Sequence, residues 1–265
     1  MARIAYLQFA PTLGQPANTL ARLSPLLNEA READLLVLPE LCNSGYNFPD
    51  RGMAEATAES IPEGPFTQFL IEQAQRNQQY IVAGVNEKSH GKLYNSSVLV
   101  GPEGYLGTYR KLHLFKDEKD LFEPGDLGLP VFETKLGKIG MLICFDWMFP
   151  EAWRALALQG AEVIAHPSNL VLPGFAQRAV PVHALINRYF VVTANRIGTE
   201  GELTFTGMST IANPKGEVLS QAPAAATQIA QVEVDLSDAH DKMITPRNHA
   251  LHDRREDVYG ERRIG

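Results

Sequence analysis

The sequence predicts an α/β domain in which two mixed β-sheets pack together and helices cover their outer faces. Three observations lead there. Nine short apolar, β-branched runs recur along the 265 residues, segments with helical spacing separate several of them, and one stretch has the form of a hairpin. Strand–helix alternation favours parallel pairing while a hairpin requires antiparallel pairing, so the sheets are expected to be mixed. Nine strands in one domain suggest two sheets.

In chain order the strand runs are RIAYLQF from Arg3, DLLVLPE from Asp34, YIVAGV from Tyr80, LYNSSVLV from Leu93 and KIGMLICF from Lys138. EVIAHP from Glu162, YFVVTAN from Tyr189, GMSTIA from Gly207 and IAQVEVDL from Ile229 complete the set. Helical spacing covers residues 18–33, 65–78, 150–159 and 174–187. The third of these helices opens with Pro150 at a first-turn position beside Glu151 and stops at Gly160. The fourth is followed at once by a strand, so it must end sharply near Arg188. The hairpin is KLYNSSVLVGPEGYLGTYRK, whose turn has Pro102 to preset one dihedral and Gly104 to accept a positive one. NPKGE at residues 213–217 has the same chemistry. No internal repeat, low-complexity segment or Ser/Gly linker interrupts the chain, and residues 1–265 are expected to form one domain.

Composition narrows the function. Hydrophobic residues make up 45% and charged residues 21%, as in a globular protein, and the net charge of -7 with a pI of about 5.5 argues against a nucleic-acid partner. The one basic cluster, RREDVYGERR from Arg254, interleaves acids with arginines and is expected to be a salt-bridged surface or a subunit contact. No stretch approaches the ~18 apolar residues of a membrane span, and the N-terminus lacks the features of a signal peptide. Cys42 and Cys144 are the only cysteines, too few for a disulfide framework or zinc spacing. The expected setting is a reducing cytoplasm, with no metal and no cofactor.

Three polar clusters stand where buried strands end. Glu40 follows the apolar run Leu35, Leu36, Val37, Leu38 just past Pro39. It can be a pocket carboxylate with base strength raised by apolar walls, or a loop glutamate in a salt bridge. Lys111, set among Leu112, Leu114 and Phe115, can stabilise an oxyanion or simply snorkel to the surface. His113, two residues on, fits a hydrogen-bonded structural role better than a catalytic one. Cys144 ends a strong apolar strand shortly before a helix. At such an elbow the following N–H groups and the helix dipole favour a thiolate, although a cysteine there can also be an inert core residue.

Taken together, these clusters resemble the nitrilase superfamily of carbon–nitrogen hydrolases from residue 3 to about residue 259. The matching strings are LPEL around Glu40, YRKLHLF around Lys111, EPGD after it, ICFDWMFPE around Cys144 and HPSN at residues 166–169. The resemblance implies a four-layer α-β-β-α sandwich that dimerises, with the tail from about residue 236 reaching the partner subunit. It implies Glu40 as general base, Cys144 as the thioester-forming nucleophile, and Lys111 with the Phe145 N–H as oxyanion donors. Glu118 corresponds to a second glutamate that positions substrate. Tyr46, Trp147, Phe149 and Asn169 are candidate lining, and Phe145 belongs to the substrate site through its backbone. Two positions depart from the family pattern: Phe145 replaces a tyrosine, and Ile186 stands where an acid before Asn187 and Arg188 is usual. The latter puts an ion pair at Arg188 in doubt.

CFDWMFPE resembles the amidase and carbamoyl branches, so the expected reaction is hydrolysis of small aliphatic amides to carboxylate and ammonia. Nitrile hydrolysis is the alternative, with ω-amide or N-carbamoyl substrates also open. A non-catalytic scaffold and a Cys42–Cys144 redox sensor are readings from other classes. His249 and His252 have metal-ligand spacing, but a surface or interface pair is the expected arrangement.

Overall fold

A computed structural model describes residues 1–259. The first half of the chain runs β1 (Ala2–Gln8), α1 (Pro16–Glu29), β2 (Leu35–Val37), α2 (Arg51–Thr57), α3 (Pro65–Asn77), β3 (Tyr80–Ser89), β4 (Lys92–Gly101), β5 (Gly104–Arg110) and the one-turn α4 (Glu118–Leu121). The second half runs β6 (Val131–Glu133), β7 (Lys138–Met141), α5 (Pro150–Leu158), β8 (Val163–Pro167), α6 (Phe175–Asn187) and β9 (Phe190–Ala194). A small hairpin of β10 (Thr199–Glu200) and β11 (Leu203–Thr204) follows. Then come β12 (Thr210–Ala212), β13 (Val218–Gln221), β14 (Gln228–Val234) and a second hairpin of β15 (Met243–Thr245) and β16 (Asn248–His249).

Two six-stranded sheets result, with strand orders β14-β1-β2-β3-β4-β5 and β13-β12-β9-β8-β7-β6. Counted from β14, the first sheet pairs antiparallel, parallel, parallel, antiparallel, antiparallel. Counted from β6, the second sheet pairs in the same succession. The two sheets therefore repeat one architecture, although the sequence carries no visible repeat.

Side-chain alternation sorts these strands into layers. Ile4 and Tyr6 of β1, Leu35 and Val37 of β2 and Val82 of β3 join Ile139, Met141, Val163 and Val191 of the second sheet in one core. Ala5, Leu7, Leu36, Ile81 and Ala83 point the other way, against Leu23 and Leu27 of α1 and Phe66 and Leu70 of α3. Trp153 and Leu156 of α5 with Val180 and Ala184 of α6 cover the second sheet. The order of layers is α-β-β-α, as expected.

Helix punctuation follows the residues. Pro65 and Pro150 occupy first-turn positions, and α5 gives way to Gly160 at φ 85°. Arg188 takes the left-handed conformation (φ 58°), which ends α6 abruptly ahead of β9. Other boundaries differ. α1 starts earlier and ends earlier than 18–33 and contains Pro25, while the short α2 and α4 carry too few turns for a periodic signal. KIGMLICF does not continue as a strand to Phe145. β7 stops at Met141, and a 3-10 turn begins at Cys144, because the Asp146 carboxylate takes the Ile143 N–H at 2.8 Å and folds the chain back.

The described part of the tail packs on its own chain. Lys242 Nζ donates to the carbonyls of Asn187 and Arg188 at 3.2 and 2.7 Å, and Arg154 Nη1 donates to the Ala250 carbonyl at 3.3 Å. Arg188 finds Asp241 as its acid, at 3.8 Å, in place of the acid that Ile186 does not supply. His249 and His252 stack at 3.7 Å, and His249 Nδ1 accepts the N–H groups of Leu251 and His252, which makes the pair a turn device. In the Arg/acid tail, Arg254 pairs with Glu256 and Arg255 with Asp257, while residues 260–263 lie outside the described residues.

Candidate active site

The site collects at the carboxyl ends of β2, β7 and β8, where open α/β sheets place their ligands. β2 leads to Glu40, β7 to Cys144 and β8 to Asn169, while Lys111 follows directly on β5. Glu40, Lys111, Glu118, Cys144 and Asn169 are all buried. Lys111 Nζ lies 2.6 Å from Glu40 Oε1 and 2.8 Å from Glu118 Oε1, so one ammonium links two carboxylates. Asn95 Nδ2 donates to Glu40 Oε1 at 2.7 Å, and the Tyr46 hydroxyl donates to Glu118 Oε1 at 2.6 Å. Asn169 Nδ2 donates to the Glu40 carbonyl at 2.9 Å, tying the β8 exit to the β2 exit.

Cys144 has φ 43°, which a residue with a side chain rarely adopts. The surroundings hold it there. Its carbonyl accepts from His166 Nε2 at 2.9 Å, and His166 Nδ1 accepts from the Thr193 hydroxyl at 3.0 Å. Burial lowers the His166 pKa to about 4, so the ring is neutral and carries its proton on Nε2. Asp146 accepts from the Tyr109 hydroxyl at 2.7 Å and meets His113 Nδ1 at 2.7 Å, and its carbonyl takes the Trp153 indole N–H at 2.9 Å. His113 stacks on Phe149 at 3.7 Å.

Electrostatics give each group a resting state. Burial, then the negative charge of Glu40, pushes the Cys144 thiol well above its usual range, while Lys111 and the Asn169 N–H pull the other way. At rest the sulfur therefore keeps its proton, and a base must remove it. Burial works against the charge on Lys111, but Glu118 and Glu40 together outweigh it and keep it an ammonium. Burial raises the Glu118 carboxyl against the opposing pull of Lys111. Burial, then the charge of Glu118, keeps the Tyr46 phenol protonated as a donor.

Phe145, Trp147 and Asn169 line a narrow recess at Cys144, together with Phe115, Leu170, Val171 and Leu172. Tyr46 reaches the site through Glu118, from an adjoining recess. Phe149 is not brought to the Cys144 recess. It lies in a separate groove with His113 and Leu112, because its ring is taken up by the stack on His113. Asn95, His166 and Asp146 had no role assigned from sequence. The detectable signal for Asn95 was a polar triplet, Asn95, Ser96 and Ser97, inside an otherwise apolar strand. His166 and Asp146 stood inside matched strings without a chemical reason to single them out.

A sheet sandwich with a buried thiol, ammonium and carboxylates at its strand exits defines a hydrolase class. The carbon–nitrogen hydrolase family model matches residues 3–242, and the chain belongs to that family, within the nitrilase superfamily. It is an enzyme that hydrolyses carbon–nitrogen bonds other than peptide bonds. A protein named nitrilase from Pyrococcus abyssi is 48% identical over 98% of this chain and 99% of its own length. An (R)-stereoselective amidase of a Pseudomonas species is 37% identical over 83% of this chain and 80% of its own. A crystal structure of a carbon–nitrogen hydrolase from Helicobacter pylori superposes with a TM-score of 0.84 at 29% identity, covering 97% of each chain.

Proposed function

We propose that the enzyme hydrolyses small aliphatic amides to carboxylate and ammonia through a thioester on Cys144. The observation that carries this reading is Lys111 Nζ, held between Glu40 and Glu118 in a site that also buries the Cys144 thiol. Glu40 takes the thiol proton as sulfur attacks the carbonyl carbon, and the oxygen becomes an oxyanion facing Lys111 and the Phe145 N–H. Glu40 then returns the proton to nitrogen, the C–N bond breaks and ammonia leaves. Water, deprotonated by Glu40, attacks the thioester and releases the carboxylate and the thiol. Glu118 holds Lys111 and orients substrate. One oxyanion donor contributes ~2.7–4 kcal/mol to such a transition state. These steps use protein groups and one water.

Nitrile hydrolysis is the second reading, favoured by the full-length similarity to the Pyrococcus abyssi protein named nitrilase. Sulfur would add to the C≡N carbon to give a thioimidate, and water would add to that. The product is the same tetrahedral species that an amide reaches in one step, so the Lys111 arrangement serves either substrate. Ammonia release from short amides and their matching nitriles separates the readings, with ω-amides and N-carbamoyl amino acids in the same screen. A higher kcat/KM for the amide of each pair is expected. A higher value for the nitrile makes nitrile hydrolysis the function.

No helix among the described residues is long and apolar enough to cross a membrane. Both thiols are free, and a site that depends on one suits a reducing compartment, the cytoplasm being the simplest. We also infer a homodimer of single-domain subunits, supported by the exposed Phe175, Val182, Leu185 and Ile186 on α6.

A further inference from the structure

Four buried acceptor oxygens at the site have no hydrogen-bond partner: Glu40 Oε2, Glu118 Oε2, Asn95 Oδ1 and Asn169 Oδ1, and of the two asparagines only Asn169 lines the Cys144 recess. A buried acceptor without a donor costs ~1–3 kcal/mol, so one that stands beside a nucleophile is a place for a ligand donor to complete. The carboxylates already have roles above. Asn169 does not, and its orientation is fixed: Nδ2 must face the Glu40 carbonyl, because only an N–H can be shared with that oxygen. Oδ1 is therefore left over on a side chain that is 1% exposed and lines the Cys144 recess.

We propose that Asn169 is a specificity-determining residue whose Oδ1 accepts an N–H of the substrate's scissile nitrogen. This deepens the hydrolase reading and rests on it. Lys111 offers N–H groups and so suits the substrate oxygen, whereas an acceptor oxygen is matched only by a donor. A primary amide brings two N–H donors. A nitrile nitrogen brings none until sulfur has added and a proton has arrived. The residue consequently discriminates at the encounter stage between donor-bearing and donor-free nitrogens, and a site built to pair a donor penalises the analogue that lacks it. Its backbone N–H, directed at the Cys144 sulfur, fixes the same segment against the nucleophile.

The test compares two alkylating reagents that differ at this nitrogen, 2-chloroacetamide and chloroacetonitrile. With either, the Cys144 sulfur displaces chloride, an S–C bond replaces the C–Cl bond, and the thiol proton passes to the base. Labelling is read by mass spectrometry of the Cys144 peptide, so turnover of any amide is not needed. A failed substrate assignment thereby stays distinguishable from a failed role for Asn169. The readout is the ratio of the chloroacetamide rate to the chloroacetonitrile rate, divided by the same ratio for free cysteine. Loss of the Asn169–Glu40 tie slows both reagents alike and leaves this ratio unchanged. Asn169→Ala and the volume-matched Asn169→Leu are expected to lower the ratio by about tenfold, the 1.4 kcal/mol equivalent of one hydrogen bond. Asn169→Asp, which keeps an acceptor oxygen, is expected to hold the ratio above both. Equal slowing of both reagents in Asn169→Ala and Asn169→Leu overturns the proposal, as does a wild-type ratio no greater than that of free cysteine.

Discussion

Cys144 is held at φ 43° by bonds to its neighbours, and strain of this kind costs ~1–3 kcal/mol that the surroundings must offset. His166 is the chief of these because it is buried, neutral and bonded to the Cys144 carbonyl. Its pKa falls from 6.5 to about 4 through burial. As the pH drops from 6.5 towards 4, the unfolded chain takes up the proton before the folded one does. Stability contributed by this group is thus complete above 6.5, declines through that window and levels off below it. The decline amounts to about 3 kcal/mol at 1.36 kcal/mol per unit. Denaturant unfolding at pH 7 and pH 4 is expected to show wild type losing about 3 kcal/mol more than His166→Gln, and equal losses would refute the neutral buried ring. The two glutamates are also expected to fail differently. Glu40→Gln removes the base and should slow both amide hydrolysis and Cys144 alkylation by roughly a hundredfold, within the range of general-base effects. Glu118→Gln should depress hydrolysis while the thiol remains reactive, since substrate no longer meets sulfur at a productive angle. Alkylation suppressed equally in both variants would assign Glu118 a share of the base role. Glu40, Lys111 and Cys144 were legible through the family strings around them, because singly each also fits a salt-bridged loop, a snorkelling lysine or an inert core thiol. Asn95 and His166 sit inside apolar runs, where a polar residue reads as a satisfied core group until its partner is known.

The elements that carry the site depend on close backbone approach. Gly84 lies in β3 under the Glu40 turn, donating its N–H to the Pro39 carbonyl at 3.0 Å and accepting from Cys42 at 2.8 Å. A Cβ at Gly84 would stand 2.4 Å from both Glu40 Cα and Leu41 N, backbone atoms that cannot swing aside. Gly84→Ala must therefore lift the turn that carries Glu40. We expect kcat to fall at least about tenfold, with ~1–3 kcal/mol of stability lost to overpacking. Gly91→Ala is the comparison: its φ of 78° also disfavours a side chain, but a Cβ there meets nothing within 4 Å, so it should lose stability with kcat unchanged. Steady-state kinetics on the two variants decide it, and an unaltered kcat in Gly84→Ala would mean that the turn yields freely. The starts of α3 and α5 at Pro65 and Pro150, and the abrupt end of α6 at left-handed Arg188, were legible in advance. The end of β7 was not, because the apolar run continues to Phe145 while the carboxylate of Asp146 has already turned the chain at Ile143.

For the whole molecule, the sheet sandwich leaves one helical layer unevenly covered. On α6, Ala176, Val180 and Ala184 face the core, but Phe175, Val182, Leu185 and Ile186 are 39–52% exposed. These outward positions recur at spacings of three, four and seven, which places them along one side of the helix. Phe175 and Val182, with Trp147 and Ala179, also line a shallow groove beside the site. The homodimer proposed above would cover this stripe, since a second copy of the same chain would supply a self-complementary face under two-fold symmetry. Trp147 ties that face to the catalytic recess, which it also lines, so loss of the contact should be felt by the substrate. Light scattering on the eluting protein is expected to give twice the 29.2 kDa chain mass. Val182→Glu combined with Ile186→Glu places two carboxylates in the stripe and should return the mass to one chain, because burying them unpaired costs several kcal/mol each. A wild-type protein that elutes as one chain at every concentration would sink the dimer, whereas a double variant that stays dimeric would move the interface to another face. If α6 is the interface, the separated subunits should also show a raised KM, because Trp147 then loses the support of the layer behind it.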